Sequence, residues 1–215
     1  MKRIPESKFM IFCGRLVELT VINLLWLVSS LPLVTIGAST TAMLSCLYAF
    51  RAGEPCGAKV FWNAFRRSFG RATVLWLVMA FLAAMLWLDY RLLAGLAFPG
   101  RMLVIALVFF AAFALVFFAG IIFPLLSQFP GSIRDMVING VLLSLARLPT
   151  MLLVTAMNLL PLLVAVLLPR LFVFTGFLWV ICGCALVGLY DITVMEKIFA
   201  PFREQEELCD GTAMP

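Results

Sequence analysis

Residues 19–50 read LTVINLLWLVSSLPLVTIGASTTAMLSCLYAF, without one charged side chain. Four further apolar runs follow, at 72–88, 102–126, 148–169 and 171–190. At 1.5 Å per residue, each is long enough to cross or nearly cross a hydrocarbon core of about 30 Å. The first stretch is too long for a single crossing: as one helix it would measure about 48 Å. It carries a break at its middle, between Pro32 and Gly37. Pro32 has no amide hydrogen and disfavours helix at Leu31, so a helical hairpin is the other reading. Length alone leaves the two readings open, because the second arm of such a hairpin is short for a bilayer.

Charge separates them. With both hairpin ends in the cytosol, the outside keeps only Arg91, Arg101 and Arg170 of the 16 Lys and Arg residues. A single crossing would move Lys2, Arg3, Lys8 and Arg15 outside and nearly erase the bias. The positive-inside rule therefore favours the hairpin, with both termini cytosolic. The predicted fold is all-α: a polytopic transmembrane helix bundle of about six membrane segments, the first two forming the Pro/Gly-broken hairpin. Residues 1–195 form a single transmembrane helical domain. Residues 196–215, with Glu204, Glu206, Glu207 and Asp210, form a polar cytosolic tail, solvated and partly disordered.

Around the break stand Ser29, Ser30, Thr35, Ser39 and Thr40. Their hydroxyls can bond backbone groups that lipid leaves unsatisfied, and Ser39 or Thr40 could cap the returning helix. The cluster is a turn near the outer interface or, alternatively, part of a polar ligand pocket at membrane depth. Asn23 and Asn158 are the strongest polar groups within the predicted spans. They read first as helix–helix contacts and second as pore lining.

Two elements are predicted on the cytosolic side. In AKVFWNAFRRSFGR, residues 58–71, Phe61, Phe65 and Phe69 recur every fourth position and share a helix face. Trp62 lies beside them, and Arg66, Arg67 and Arg71 lie elsewhere on the wheel. This reads as an interfacial amphipathic helix, rings in lipid and guanidinium groups toward anionic inner-leaflet phosphates. Docking onto another membrane protein is the alternative. In residues 127–152, Pro130 and Gly131 end the preceding span. Ser132 is a candidate N-cap with Asp135 in the first turn, and a bend is expected near Arg147 to Thr150.

Composition limits the chemistry. Of 215 residues, 64% are hydrophobic and 13% charged, with a net charge of +5 and no histidine. The commonest metal ligand and the commonest general base are thus missing. Six cysteines show no zinc-like or disulfide-framework spacing. No hydrolase, metalloprotease or P-loop motif is present. The acids Asp89, Asp135, Asp191 and Glu196 fall near predicted helix ends. Asp191 and Glu196 are expected beside Lys197, and Glu18 is expected to pair with Arg15. No charged group of the kind a proton- or sodium-coupled transporter uses is evident in mid-span. The expectation is a non-enzymatic protein with no catalytic residue, cofactor or metal, and with no nucleic-acid partner. The first apolar run is expected to act as an uncleaved anchor.

NLLWLVSSLPLVTIGASTTAML, FWNAFRRSFGRATVLWLV and FPLLSQFPGSIRDMVINGVLLSLARLPTMLL together resemble the YesL-like family, domain of unknown function 624. The Leu-Pro-x-x-Thr-x-Gly-Ala-Ser break is the most specific part. The resemblance implies a small multi-pass protein of the bacterial cytoplasmic membrane. It further implies a setting of carbohydrate uptake beside sugar ABC importers. An accessory role to such an importer is the first expectation, and a small transporter or channel, alone or as a homo-oligomer, is the second.

Overall fold

Pro32 stands in extended conformation (φ −74°, ψ 111°) directly before a short 3₁₀ turn, Leu33–Thr35. The computed structural model, which describes residues 8–96, 99–129 and 131–211, is helical on both sides of this break. Helix α1 (Lys8–Ser29) leads in and α2 (Ile36–Ala52) returns against it, so residues 19–50 form the hairpin. Thr35 seals the break: its hydroxyl donates to the carbonyls of Ser29 (2.6 Å) and Pro32 (2.7 Å) at the open end of α1. The capping expectation is corrected. Ser39 and Thr40 donate back to the carbonyls of Thr35 and Ile36, four residues earlier, rather than receiving amides of the first turn.

Helix α2 is the centre of the bundle. About 61% of its most apolar stretch is buried, against 28% or less in the other long apolar helices. It ends at Gly53, whose positive φ (78°) closes the helix in the left-handed region. Helix α3 (Ala58–Ala94) crosses α2 closely at Gly37, where a β-carbon would stand 2.5 Å from the Ala72 carbonyl oxygen and 2.6 Å from Trp76 Cβ. Trp76 Nε1 also donates to the Leu33 carbonyl at 2.7 Å, tying α3 to the hairpin turn.

The separate interfacial helix at 58–71 is a second correction. Residues 58–94 form one uninterrupted helix. Its inward stripe runs Phe61, Phe65, Ser68, Ala72 and Leu75, spaced three and four apart, straight through the expected boundary. Phe61 and Phe65 are therefore packed in the protein core rather than in lipid, while Trp62 and Phe69 remain exposed. The physical reason is that an apolar face at helical spacing serves a protein neighbour as well as it serves lipid.

Helix α4 (Arg101–Gln128) contains Pro124, and α5 (Ile133–Ala146) packs on its last turns. At Gly140 a β-carbon would meet Ile121, Ile122 and Leu125 at 3.5–3.6 Å. Ser132 occupies the N-cap position of α5, but its side chain makes no capping bond. The expected bend falls at Arg147 (φ −126°, ψ 39°), whose carbonyl accepts the amides of Thr150 and Met151. Helix α6 (Leu148–Leu167) holds Pro161. Then α7 (Pro169–Leu178), a π-helical turn (Trp179–Gly183) and α8 (Cys184–Gly211) follow as one path.

Five stretches of the described residues, within the hairpin's return, α3, α4, α6 and Gly176–Ile198, are long and apolar enough to cross a membrane. The chain is a polytopic helical bundle. The sixth expected segment corresponds to α1, 22 residues long, with Arg15 and Glu18 in its first half. Asp191 falls toward the end of the apolar stretch Gly176–Ile198, five residues before Glu196. The described backbone of the expected tail continues α8 to Gly211. The predicted roles of Lys2, Arg3 and Pro130, the last four residues and the tail's acidic side chains lie outside what is described.

Candidate functional site

Halfway along the bundle, α1, α2, α4, α6 and α8 surround a cavity of about 300 Å³. Its polar groups are few: Asp191, Asn158, Thr40 and the Trp26 indole, against a wall that includes Pro124 and Pro161. Apart from the Cys184 thiol the rest of the lining is apolar, the usual make-up of a small-molecule site.

Asp191 is 7% exposed. Its Oδ2 accepts a hydrogen bond from Asn158 Nδ2 at 2.8 Å. The same nitrogen donates to the Val154 carbonyl at 3.0 Å, which fixes the amide with its donor side toward the carboxylate. The other carboxylate oxygen, Oδ1, is buried and has no hydrogen-bond partner. Trp26 Nε1 donates to Thr40 Oγ1 at 3.2 Å, so the remaining polar pair on the wall is largely spent internally. Proline at 124 and at 161 each removes the amide that a carbonyl one turn earlier would accept, at Gly120 and Met157. Gly120 is itself on the cavity wall. At Gly188 a β-carbon would meet Leu47 Cδ1 at 2.8 Å, so α8 approaches α2 closely just before Asp191.

The expected roles of the two asparagines thus divide. Asn158 reaches the cavity. Asn23, 1% exposed, is a clamp between helices. Its Nδ2 donates to the carbonyls of Val180 (2.6 Å) and Trp179 (3.3 Å), and its Oδ1 accepts the Ala185 amide (3.0 Å). These are backbone groups at the π-helical turn, where the regular hydrogen-bond ladder is displaced. Thr40 alone of the hydroxyl cluster lines the cavity, Ser29, Thr35 and Pro32 build the turn, and Gly37 serves the α2–α3 crossing.

At the end of the bundle away from Pro32, polar groups tie the helices together. Arg51 pairs with Glu196 at 2.9 Å and also bonds Thr193, joining α2 to α8. Glu196 therefore answers to Arg51, correcting the expected Lys197 pairing. Arg15 donates to the Phe50 carbonyl at 2.7 Å and lies over the Phe50 ring, while Glu18 accepts from the Cys56 thiol. The expected Arg15–Glu18 pair is corrected accordingly. Burial first, and then the Glu18 charge and hydrogen bond, push the Cys56 thiol up to about 11. Two further cavities open here, of about 410 and 360 Å³, sharing Ser45 and Gln128 on their walls. The second is lined by Arg67 and Arg71, and Arg71 also donates to the Gly131 carbonyl at 2.9 Å. Arg66 stacks on exposed Trp62.

Asp191 is the residue that sequence reasoning missed. The signal was present: Ile192, Thr193, Val194 and Met195 continue the apolar character beyond it, and Ile198 follows. Asp191 is buried within the bundle rather than at a solvated helix end, five residues before Glu196.

Residues 19–90 match the model of a family described as protein of unknown function, DUF624, the family to which YesL-like proteins belong. The match covers the hairpin and most of α3; Asn158 and Asp191 lie beyond it. No curated protein and no solved structure matches the chain.

Proposed function

We propose, from the premise that residues 19–90 carry the DUF624 family sequence, that the protein is a non-enzymatic membrane protein that binds and moves a small polar solute. Asp191 carries this reading: a carboxylate within a membrane-length apolar stretch, on the wall of the 300 Å³ cavity, with one oxygen held by Asn158 and the other without a hydrogen-bond partner. Burying an ionisable group at membrane depth is costly, and such groups mark solute or ion pathways. The cavity volume is at the lower end for small-molecule sites, which suits a solute of monosaccharide size or less. The family resemblance makes carbohydrates the first solutes to try. The bias of basic residues supports the bacterial cytoplasmic membrane with both termini cytosolic, so that the Arg51 end faces the cytosol.

The test is uptake by liposomes containing the purified full-length protein, with a panel of radiolabelled mono- and disaccharides. Uptake of one of them well above protein-free vesicles is expected, falling about tenfold or more in Asp191→Asn. Folded wild-type protein that moves none of them faster than empty vesicles would overturn the reading.

A second reading, an accessory subunit docked on a sugar importer, draws on exposed Trp62 and Phe69 of α3 and on Ile138, Leu142 and Leu145 of α5. Anionic lipid around Arg66 and Arg67 fits either reading. Crosslinking in native membranes separates them. Importer components captured by wild type and lost in the double variant Trp62→Ala, Phe69→Ala would favour docking.

A further inference from the structure

We propose that Asp191 is a proton-binding site, and that solute movement through the cavity is coupled to its protonation; this rests on the solute-moving reading above. The carboxylate has one oxygen held by Asn158 and one buried without a hydrogen-bond partner, and Asp191 lines the cavity. A buried, unpaired negative charge needs a neutralising partner. The cavity wall offers none, since no Lys or Arg lines it.

The helices packed on α8 supply no hidden counter-charge. From α1, Arg15 and Glu18 are engaged at Phe50 and Cys56. From α2, Arg51 is held by Glu196, and the other titratable side chains are Cys46 and Tyr48. Between Arg101 and Gln128 on α4, and between Leu148 and Leu167 on α6, the chain has no ionisable group. Cys182 is in the π-helical turn. On α8 itself, Cys184 lines the cavity, Tyr190 neighbours Asp191, and Lys197 follows Glu196.

A metal cation fits this site poorly. Asn158 turns its N–H toward the carboxylate, held that way by the Val154 carbonyl, and a cation would need the amide oxygen there. No cluster of three acidic or cysteine side chains suited to a metal occurs among the described residues. A proton, by contrast, needs only the free Oδ1. It would enter from water on one side and bind Oδ1, taking the carboxylate from −1 to neutral. Its release to the other side would regenerate the carboxylate, with nothing else consumed.

The test is infrared difference spectroscopy of the full-length protein in liposomes, without solute, as pH is changed across the physiological range. A protonated-carboxyl band that comes and goes reversibly is expected, absent in Asp191→Asn and shifted in midpoint by Asn158→Leu. Glu196→Gln should leave the band in place. A wild-type band that persists unchanged through the range, or never forms, overturns the proposal, as does a band untouched by either cavity variant. Uptake assays with and without an imposed pH gradient separate the two readings. A titrating Asp191 with no solute uptake removes the solute-moving reading. Uptake indifferent to the pH gradient removes the coupling alone.

Discussion

At the scale of single residues, the bundle depends on a few positions where one atom more or less matters. Gly37 is one: Ala there would press its methyl on the Ala72 carbonyl and the Trp76 β-carbon, both poorly able to yield. Gly37→Ala is expected to destabilise by about 1–3 kcal/mol, read as a lower unfolding midpoint in detergent. Asn23→Leu should cost about 1–2 kcal/mol, because two carbonyls and the Ala185 amide lose their partner inside the bundle. Cys56 gives a pH-dependent readout. With the thiol raised from 9.0 to about 11, alkylation near pH 8 should run about a hundredfold below that of a free thiol. The rate should rise with pH as the thiol ionises, and Glu18→Gln should quicken it by removing a nearby negative charge. Both asparagines were visible in the sequence as polar groups in need of partners. Which one would meet a carboxylate was not, since that pairing joins positions 33 residues apart.

At the scale of elements, the break at Pro32 and the bend at Arg147 were legible because backbone chemistry dictates them locally. The fusion of residues 58–71 with the following span was not. Hydropathy registers that Phe61, Phe65 and Phe69 share a face, but lipid and a neighbouring helix reward such a face alike. The difference has a measurable consequence. Phe61→Ala should cost about 3–5 kcal/mol by opening a void in the core, whereas Trp62→Ala, at an exposed position, should leave the unfolding midpoint nearly unchanged. A separate surface-lying helix would have made the two substitutions similar.

At the scale of the whole molecule, hydropathy sufficed to establish a polytopic bundle, yet it could not say which helix lies at the centre. That place belongs to α2, whose return arm looked short for a membrane crossing. A helix shielded on most sides by other helices can be short and rich in Ser and Thr, because protein rather than lipid receives its hydroxyls. The same logic hid the cavity, which exists only where five segments distant in the chain converge. Arg51 and Glu196 join the centre to the last helix at one end of the bundle. Each is about a third exposed, so a double-mutant cycle should return a coupling of at most about 1 kcal/mol.

Finally, α3 is an unbroken rod of about 55 Å, nearly twice the thickness of a hydrocarbon core. Its apolar part, residues 72–88, measures only about 26 Å, so the basic segment before it projects beyond the core and swings with any tilt of the span. Its grip on α2 at Gly37 and on the Gly131 carbonyl through Arg71 would carry that inclination into both neighbours. Bilayer thickness thereby becomes a mechanical input to the entire assembly.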